Sequence, residues 1–216
     1  MRQLQITILL ILTLIQNVNS QDKVIKGDTM FWYNWNQEQI KKMELTDFDK
    51  SPTDFAFRFW NHGQVVEIFK DNNQVYGELT NYIYHTFKKR NDTLISKIKL
   101  DSAKAIAAYE IIQQSGILTL QSDNEIDEWS KGCDGITYII EHSDKFEYWY
   151  KNYWTPSSQD SIPESLLVLN FVKALSDTLQ LSDKYLNFTV DLPHRGCYGS
   201  GGTPMPCYVS NSYGLG

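Results

Sequence analysis

The sequence predicts an α+β fold, an antiparallel sheet with two main helices packed on it. Three observations point there. Residues 54–89 hold three strand-like runs separated by turn residues. Two stretches, 101–116 and 161–179, switch to helical spacing. Between them, residues 134–156 return to a strand-rich composition of Ile, Tyr, Phe and Trp. Strands, helix, strands, helix is the order of an α+β domain, and 216 residues suffice for one core.

The first twenty residues stand apart. Arg2 is followed by an apolar run from Ile6 to Ile15, which ends in Val18-Asn19-Ser20. This is the pattern of a secretory signal peptide over 1–20, with a mature start at Gln21 and an exported protein. The run is shorter than the roughly 20 residues a transmembrane helix needs, so no integral membrane segment is expected after cleavage. Its loss removes one Arg and no acid, taking the net charge from −6 to −7. An acidic chain without a basic stripe is not expected to partner nucleic acid.

The single α+β domain is expected over 21–190. Residues 21–30 read as polar and extended. Trp32, Trp35, Ile40 and Met43 fall close to one helix face. The Trp cluster with Phe31 reads either as packing or as a carbohydrate platform. Phe55, Phe57 and Phe59 alternate in a first strand, and Asn61-His62-Gly63 signals a turn. Residues 64–70 make a second strand, Asp71-Asn72-Asn73 a second turn, and 74–89 a long third strand. The basic run Lys88-Lys89-Arg90 reads as a solvated strand end.

In "LDSAKAIAAYEIIQQSG", Asp101 or Ser102 caps an Ala-rich helix and Gly116 closes it. Ile106, Ala107 and Ile111 give it an apolar edge. Residues 121–133 read as a polar loop. The second helix opens at a Ser161/Glu164 capping box with Pro163 in its first turn. Val168, Phe171, Val172, Leu175 and Leu179 recur on its buried face. The Gly/Pro-rich tail, 191–216, reads as irregular. Within it Cys197 and Cys207 flank a flexible loop and are expected to form a disulfide, contributing about 2–3 kcal/mol. Cys133 is then free, either as a buried small hydrophobe or as a reactive thiol beside a base.

For the hairpin between 134 and 156, a three-residue loop at Ser143-Asp144-Lys145 sorts aromatics from charges best. It pairs Ile140 with Tyr148 and Glu141 with Glu147. The two carboxylates would then lie opposite each other, Cβ atoms about 4.5–5.5 Å apart. That approaches the carboxyl spacing of about 5–5.5 Å in retaining glycosidases. Glu141 and Glu147 are thus the candidate catalytic pair. As a solvated pair, their joint replacement by Gln should cost less than about 1 kcal/mol. Tyr148, Trp149 and Trp154 are the candidate binding residues. Asp134 is roughly 23 Å of strand from Glu141 and reads as a turn-forming residue before Gly135.

"DGITYIIE" followed by Tyr148-x5-Trp154-Thr155-Pro156 resembles a pattern in a family of uncharacterised bacterial proteins. That pattern is Asp-Gly-x-x-Trp-x-x-Glu, a strand ending in Trp-Ser-Pro, and then a helix, with a Phe-Arg-Phe-like strand upstream. Asp134, Gly135, Glu141, Tyr148, Trp154 and Pro156 match it, and "FAFRFW" resembles the upstream strand. Tyr138 replaces the usual Trp, and Tyr153 stands where Arg is common. The resemblance spans about residues 54–180. It implies the architecture and no particular activity.

None of the four His residues has metal-ligand spacing, no nucleophile elbow is present, and "GCYGSGGTP" lacks the Lys and Ser/Thr of a phosphate loop. No metal or cofactor is therefore expected. The expectation for function is a non-enzymatic exported protein that binds an envelope component or a protein partner. The alternatives are an envelope glycan or peptide hydrolase using Glu141 and Glu147, and a structural envelope protein.

Overall fold

The computed structural model describes residues 23–29, 32–200 and 203–208. The expected signal peptide, Phe31 and the end of the tail lie outside these residues. In chain order the elements are β1 (Val24–Gly27), α1 (Tyr33–Lys42), β2 (Phe55–Asn61), β3 (Gln64–Asp71), β4 (Gln74–Phe87) and β5 (Arg90–Lys99). Then come α2 (Ser102–Gln114), β6 (Thr137–Ser143), β7 (Glu147–Trp154), α3 (Pro163–Leu179), α4 (Leu181–Val190), β8 (Gly196–Ser200) and β9 (Thr203–Tyr208).

The strands form one sheet in the order β1-β7-β6-β2-β3-β4-β8-β9, with β5 also on β4. All pairs are antiparallel except β1 with β7, so the sheet is mixed. The α+β class holds, with more sheet than two hairpins supply and with helices α1 and α4 besides the two main ones. The strand β2-β3-β4 meander follows the sequence reading closely. Lys88 and Lys89 form the turn into β5, and Lys88 has φ 58°. They do not merely end a strand.

Both faces of the sheet are covered, which is why "FAFRFW" is buried along most of its length instead of alternating with polar residues. One face carries Phe57, Phe59, Ile68, Leu79 and Ile140 against Ala108, Ile112, Val168, Phe171 and Leu175 of α2 and α3. The other carries Ala56, Trp60, Val65, Phe69, Tyr82 and Tyr150 under Ile40 and Met43, with Leu45 and Phe48 from the segment after α1. Phe171 meets both Phe57 and Phe59 edge to face, at centroid separations of 5.9 and 5.7 Å.

α3 buries Val168, Phe171, Leu175 and Leu179 as its spacing predicted, with Val172 half-buried at the margin. Leu175→Ala should therefore lower stability by about 2–5 kcal/mol, read from the urea midpoint. An unchanged midpoint would mean that the α3 face is packed elsewhere.

The helix ends need correction. Ile162 is the N-cap of α3 and no side chain caps it, so the Ser161/Glu164 box does not form. The Ser165 hydroxyl instead donates to the carbonyls of Ile162 and Gln159, at 2.6 and 2.8 Å. In α2, Asp101 is the cap, accepting from the Lys104 amide at 2.8 Å. Gly116 follows the helix at φ 80°, a conformation that suits glycine. The buried stripe of α2 is Ala105, Ala108 and Ile112, whereas Ile106 faces water. Small residues let α2 lie close on the sheet, a reason the choice of the bulkier Ile residues as the buried edge overlooked.

The tail is not irregular over its described part. β8 pairs with Tyr84–Thr86 of β4, and β9 pairs with β8. β3 ends its pairing with β4 at Asn81, leaving the next residues of that edge with unmet backbone groups. The hairpin takes up those groups. Cys197 and Cys207 face each other across it and are bonded, with Cα atoms 4.0 Å apart. Tyr198 stacks on His85 at 4.8 Å, and His85 Nε2 hydrogen-bonds the Arg195 carbonyl at 2.8 Å. Among the described residues no helix is long and apolar enough to cross a membrane. A disulfide-bonded structure of this kind is compatible with export.

Candidate functional site

The hairpin of β6 and β7 takes a register other than the expected one. His142 pairs with Trp149, Glu141 with Tyr150 and Ile140 with Lys151. The Asp144 side chain closes the turn by accepting from the amides of Phe146 and Glu147, at 2.7 and 2.8 Å. That turn is longer than the expected Ser143-Asp144-Lys145 loop. The pairing slips by three residues, an odd number, so one strand turns over relative to the other. Glu141 and Glu147 consequently lie on opposite faces of the sheet and cannot act as a pair on one bond.

Glu141 belongs to a buried ionic network. Arg58 on β2 donates to it at 2.9 Å and to Glu67 on β3 at 2.8 Å, and all three side chains are essentially inaccessible. The Tyr148 hydroxyl and Trp60 Nε1 each donate to Glu141 at 2.5 Å. Burial would push the guanidinium down, but Glu141 and Glu67 beside it outweigh that and hold its pKa above the usual value. Burial, followed by the Glu141 charge, pushes Tyr148 well up. Such a network is a satisfied core feature in this geometry. The sequence reading saw Arg58 only as part of an alternating strand.

Glu147 sits on the other face, ion-paired with Lys26 and accepting from Trp149 Nε1 at 3.1 Å. Trp149 lies parallel to the His142 ring at 5.8 Å. Burial, then the nearby Lys151 charge, lowers the His142 pKa to about 3. Burial also lowers that of Lys151 to about 8, with its ammonium donating to the Leu118 carbonyl at 2.7 Å.

The three candidate binding aromatics therefore separate. Tyr148 is buried in the core at 1% exposure. Trp149 packs on the opposite face, between His142 and the Lys26–Glu147 pair. Trp154 forms the base of the hairpin, where its carbonyl accepts from Trp129 Nε1 at 2.9 Å. Its indole lies against Gly135, whose position has no room for a side chain. A Cβ there would stand 1.9 Å from Thr155 Oγ1 and 3.0 Å from the Trp154 ring. Asp134, Gly135, Trp154 and Pro156 of the family-like pattern thus meet at one corner, or next to it in the chain.

That corner is one wall of an aromatic pocket of about 700 Å³. Trp60 and Ile139, on the paired strands β2 and β6, and Tyr82 on β4 are buried side chains and form its floor. Trp32 and Trp35 flank it from the start of α1, each 38% exposed, with rings 6.0 Å apart and steeply inclined. Tyr84 follows Tyr82 on the same strand face, with rings 5.9 Å apart. Asn61, His62 and the segment from Cys133 to Thr137 complete the lining. Cys133 is exposed in that wall and not a buried hydrophobe. Asp134 is exposed as well and makes no hydrogen bond or ion pair among the described residues, in contrast to the turn role expected of it.

Sequence reasoning noted Trp32 and Trp35 but missed Trp60, Tyr82 and Tyr84. The signal in the sequence was their position at strand ends and on one strand face. Assembling them required knowing that β2, β4 and β6 bring these ends under the start of α1. No protein-family model, no curated protein and no solved structure matches the chain.

Proposed function

We propose that this chain is an exported, non-enzymatic binding protein that holds a glycan segment of the cell envelope in the aromatic pocket. The observation that supports the reading is the lining itself: three Trp and two Tyr around one cavity of about 700 Å³. A volume of this order suits a small ligand, and aromatic walls with few polar groups are the usual makeup of such sites. Pyranose rings present flat C–H faces that pack on indole and phenol rings, while their hydroxyls stay near water at the rim. The half-exposed Trp32 and Trp35 are placed for that contact, and the buried Trp60 and Tyr82 supply a fixed floor. The Trp60 indole is held by Glu141, so the ionic network preorganises the floor.

Titration calorimetry with envelope-derived oligosaccharides tests the proposal. Trp32→Ala and Trp35→Ala should each weaken binding about tenfold or more while leaving the fold intact, since both rings are partly exposed. Binding that survives both substitutions would overturn the pocket as the site. Release of shortened fragments during prolonged incubation would overturn the non-enzymatic part.

A further inference from the structure

We infer that the glycan carries a free amino group, and that Asp134 receives it. The inference rests on the glycan reading of the pocket and narrows the class of sugar. Two features of the lining lead to it. First, among the described residues the lining contains no Lys and no Arg, so no permanent cation there answers a carboxylate or phosphate on a ligand. Lys42 lies over the Tyr84 ring at 5.8 Å and is outside the lining. Second, among the described residues Asp134 is the lining's only Asp or Glu, and it has no partner there.

An ammonium group entering this pocket meets aromatic faces and one unengaged carboxylate. Ring quadrupoles attract cations, and the carboxylate accepts a charge-assisted hydrogen bond. An N-acetylated sugar of the same shape gains neither. A uronic acid brings a negative charge toward Asp134 in a chain of net charge −6. The order of preference is therefore amino sugar, neutral or N-acetylated sugar, then acidic sugar. The corner that holds Asp134 is rigid, because Gly135 is wedged against Trp154 and Thr155.

The test uses the full mature chain with two β-linked oligomers of equal length, one of glucosamine and one of N-acetylglucosamine. The wild type should bind the glucosamine oligomer on the order of tenfold more tightly at low salt. The preference should shrink as salt rises, and should vanish once pH exceeds the amine's pKa. Asp134→Asn should remove most of it, by lowering affinity for the glucosamine oligomer far more than for the N-acetylated one, while the ring faces keep a small remainder. Equal binding of both oligomers by the wild type, or an undiminished preference in Asp134→Asn, would overturn this inference and leave the glycan reading standing. If neither oligomer nor any envelope glycan binds, the glycan reading fails, and this inference with it.

Discussion

Glu141→Leu should destabilise the protein by about 3–5 kcal/mol or more, a large part of the total stability of about 5–15 kcal/mol of a domain. The change leaves the Arg58 guanidinium in the core with Glu67, the Thr46 carbonyl and the face of Phe48 as its contacts and Nη1 without its acceptor. It also strips the acceptor from the Tyr148 hydroxyl and from Trp60 Nε1, both buried. Losing one of the two counter-charges of Arg58 and stranding two buried donors costs more than the contacts were worth, because their desolvation is no longer offset. Glu147→Gln touches a half-exposed pair with Lys26 and a bond from Trp149 Nε1 that a Gln carbonyl can still accept, and should change stability by about 1 kcal/mol or less. The two substitutions therefore separate, against the sequence-based expectation that replacing both is nearly neutral. Urea unfolding of each single variant checks this. Equal, small effects would mean that Glu141 is not the buried partner of Arg58. Adding Arg58→Met and Glu67→Leu to Glu141→Leu should recover part of the loss, since a well-packed apolar set needs no desolvated charge.

Acid should weaken the wild type more than His142→Phe. The His142 ring is enclosed by Trp149 and faces Phe57 across the β2–β6 pair, with Lys151 and Asp144 as the charged groups acting on it. Burial, then Lys151, lowers its pKa from 6.5 to about 3, while Asp144 acts weakly the other way. The sign follows from proton uptake. Between these two pH values the unfolded chain binds a proton that the folded chain refuses, so stability falls as pH falls from 6.5 toward 3. One proton gives a slope of about 1.4 kcal/mol per pH unit, and the whole window amounts to several kcal/mol. Above that window His142 is neutral in both states and contributes no pH dependence. His142→Phe keeps an aromatic ring against Trp149 and removes the titration. Urea midpoints from pH 7 to pH 4 should diverge between the two proteins as the pH drops. Parallel curves would mean that the ring takes up its proton in the folded state.

Much of the fold is legible in local sequence because local rules decide it. The turns at Asn61-His62-Gly63 and Asp71-Asn72-Asn73, the Asp101 cap and the apolar stripe of α3 each rest on residues close together in the chain. So does the Cys197–Cys207 bridge, whose loop is short. β5 and α4 were missed because half-exposed elements show weaker apolar periods. The strand at Gly196–Ser200 was missed because its partner, β4, lies over a hundred residues upstream, and only an open edge there gives it a place.

By itself, the sequence determined the α+β class, the β2-β3-β4 meander, the buried face of α3 and the pairing of its cysteines. These follow from spacing, turn chemistry and chain proximity. Only the tertiary structure decided the register of β6 on β7, because a slip by an odd number of residues is settled by what covers each face. That register sends Glu141 to Arg58 and away from Glu147. It was also the tertiary structure that gathered Trp32, Trp35, Trp60, Tyr82, Tyr84 and Asp134 around one cavity. They come from four segments of the chain, and no local pattern records which segments the sheet order will bring together.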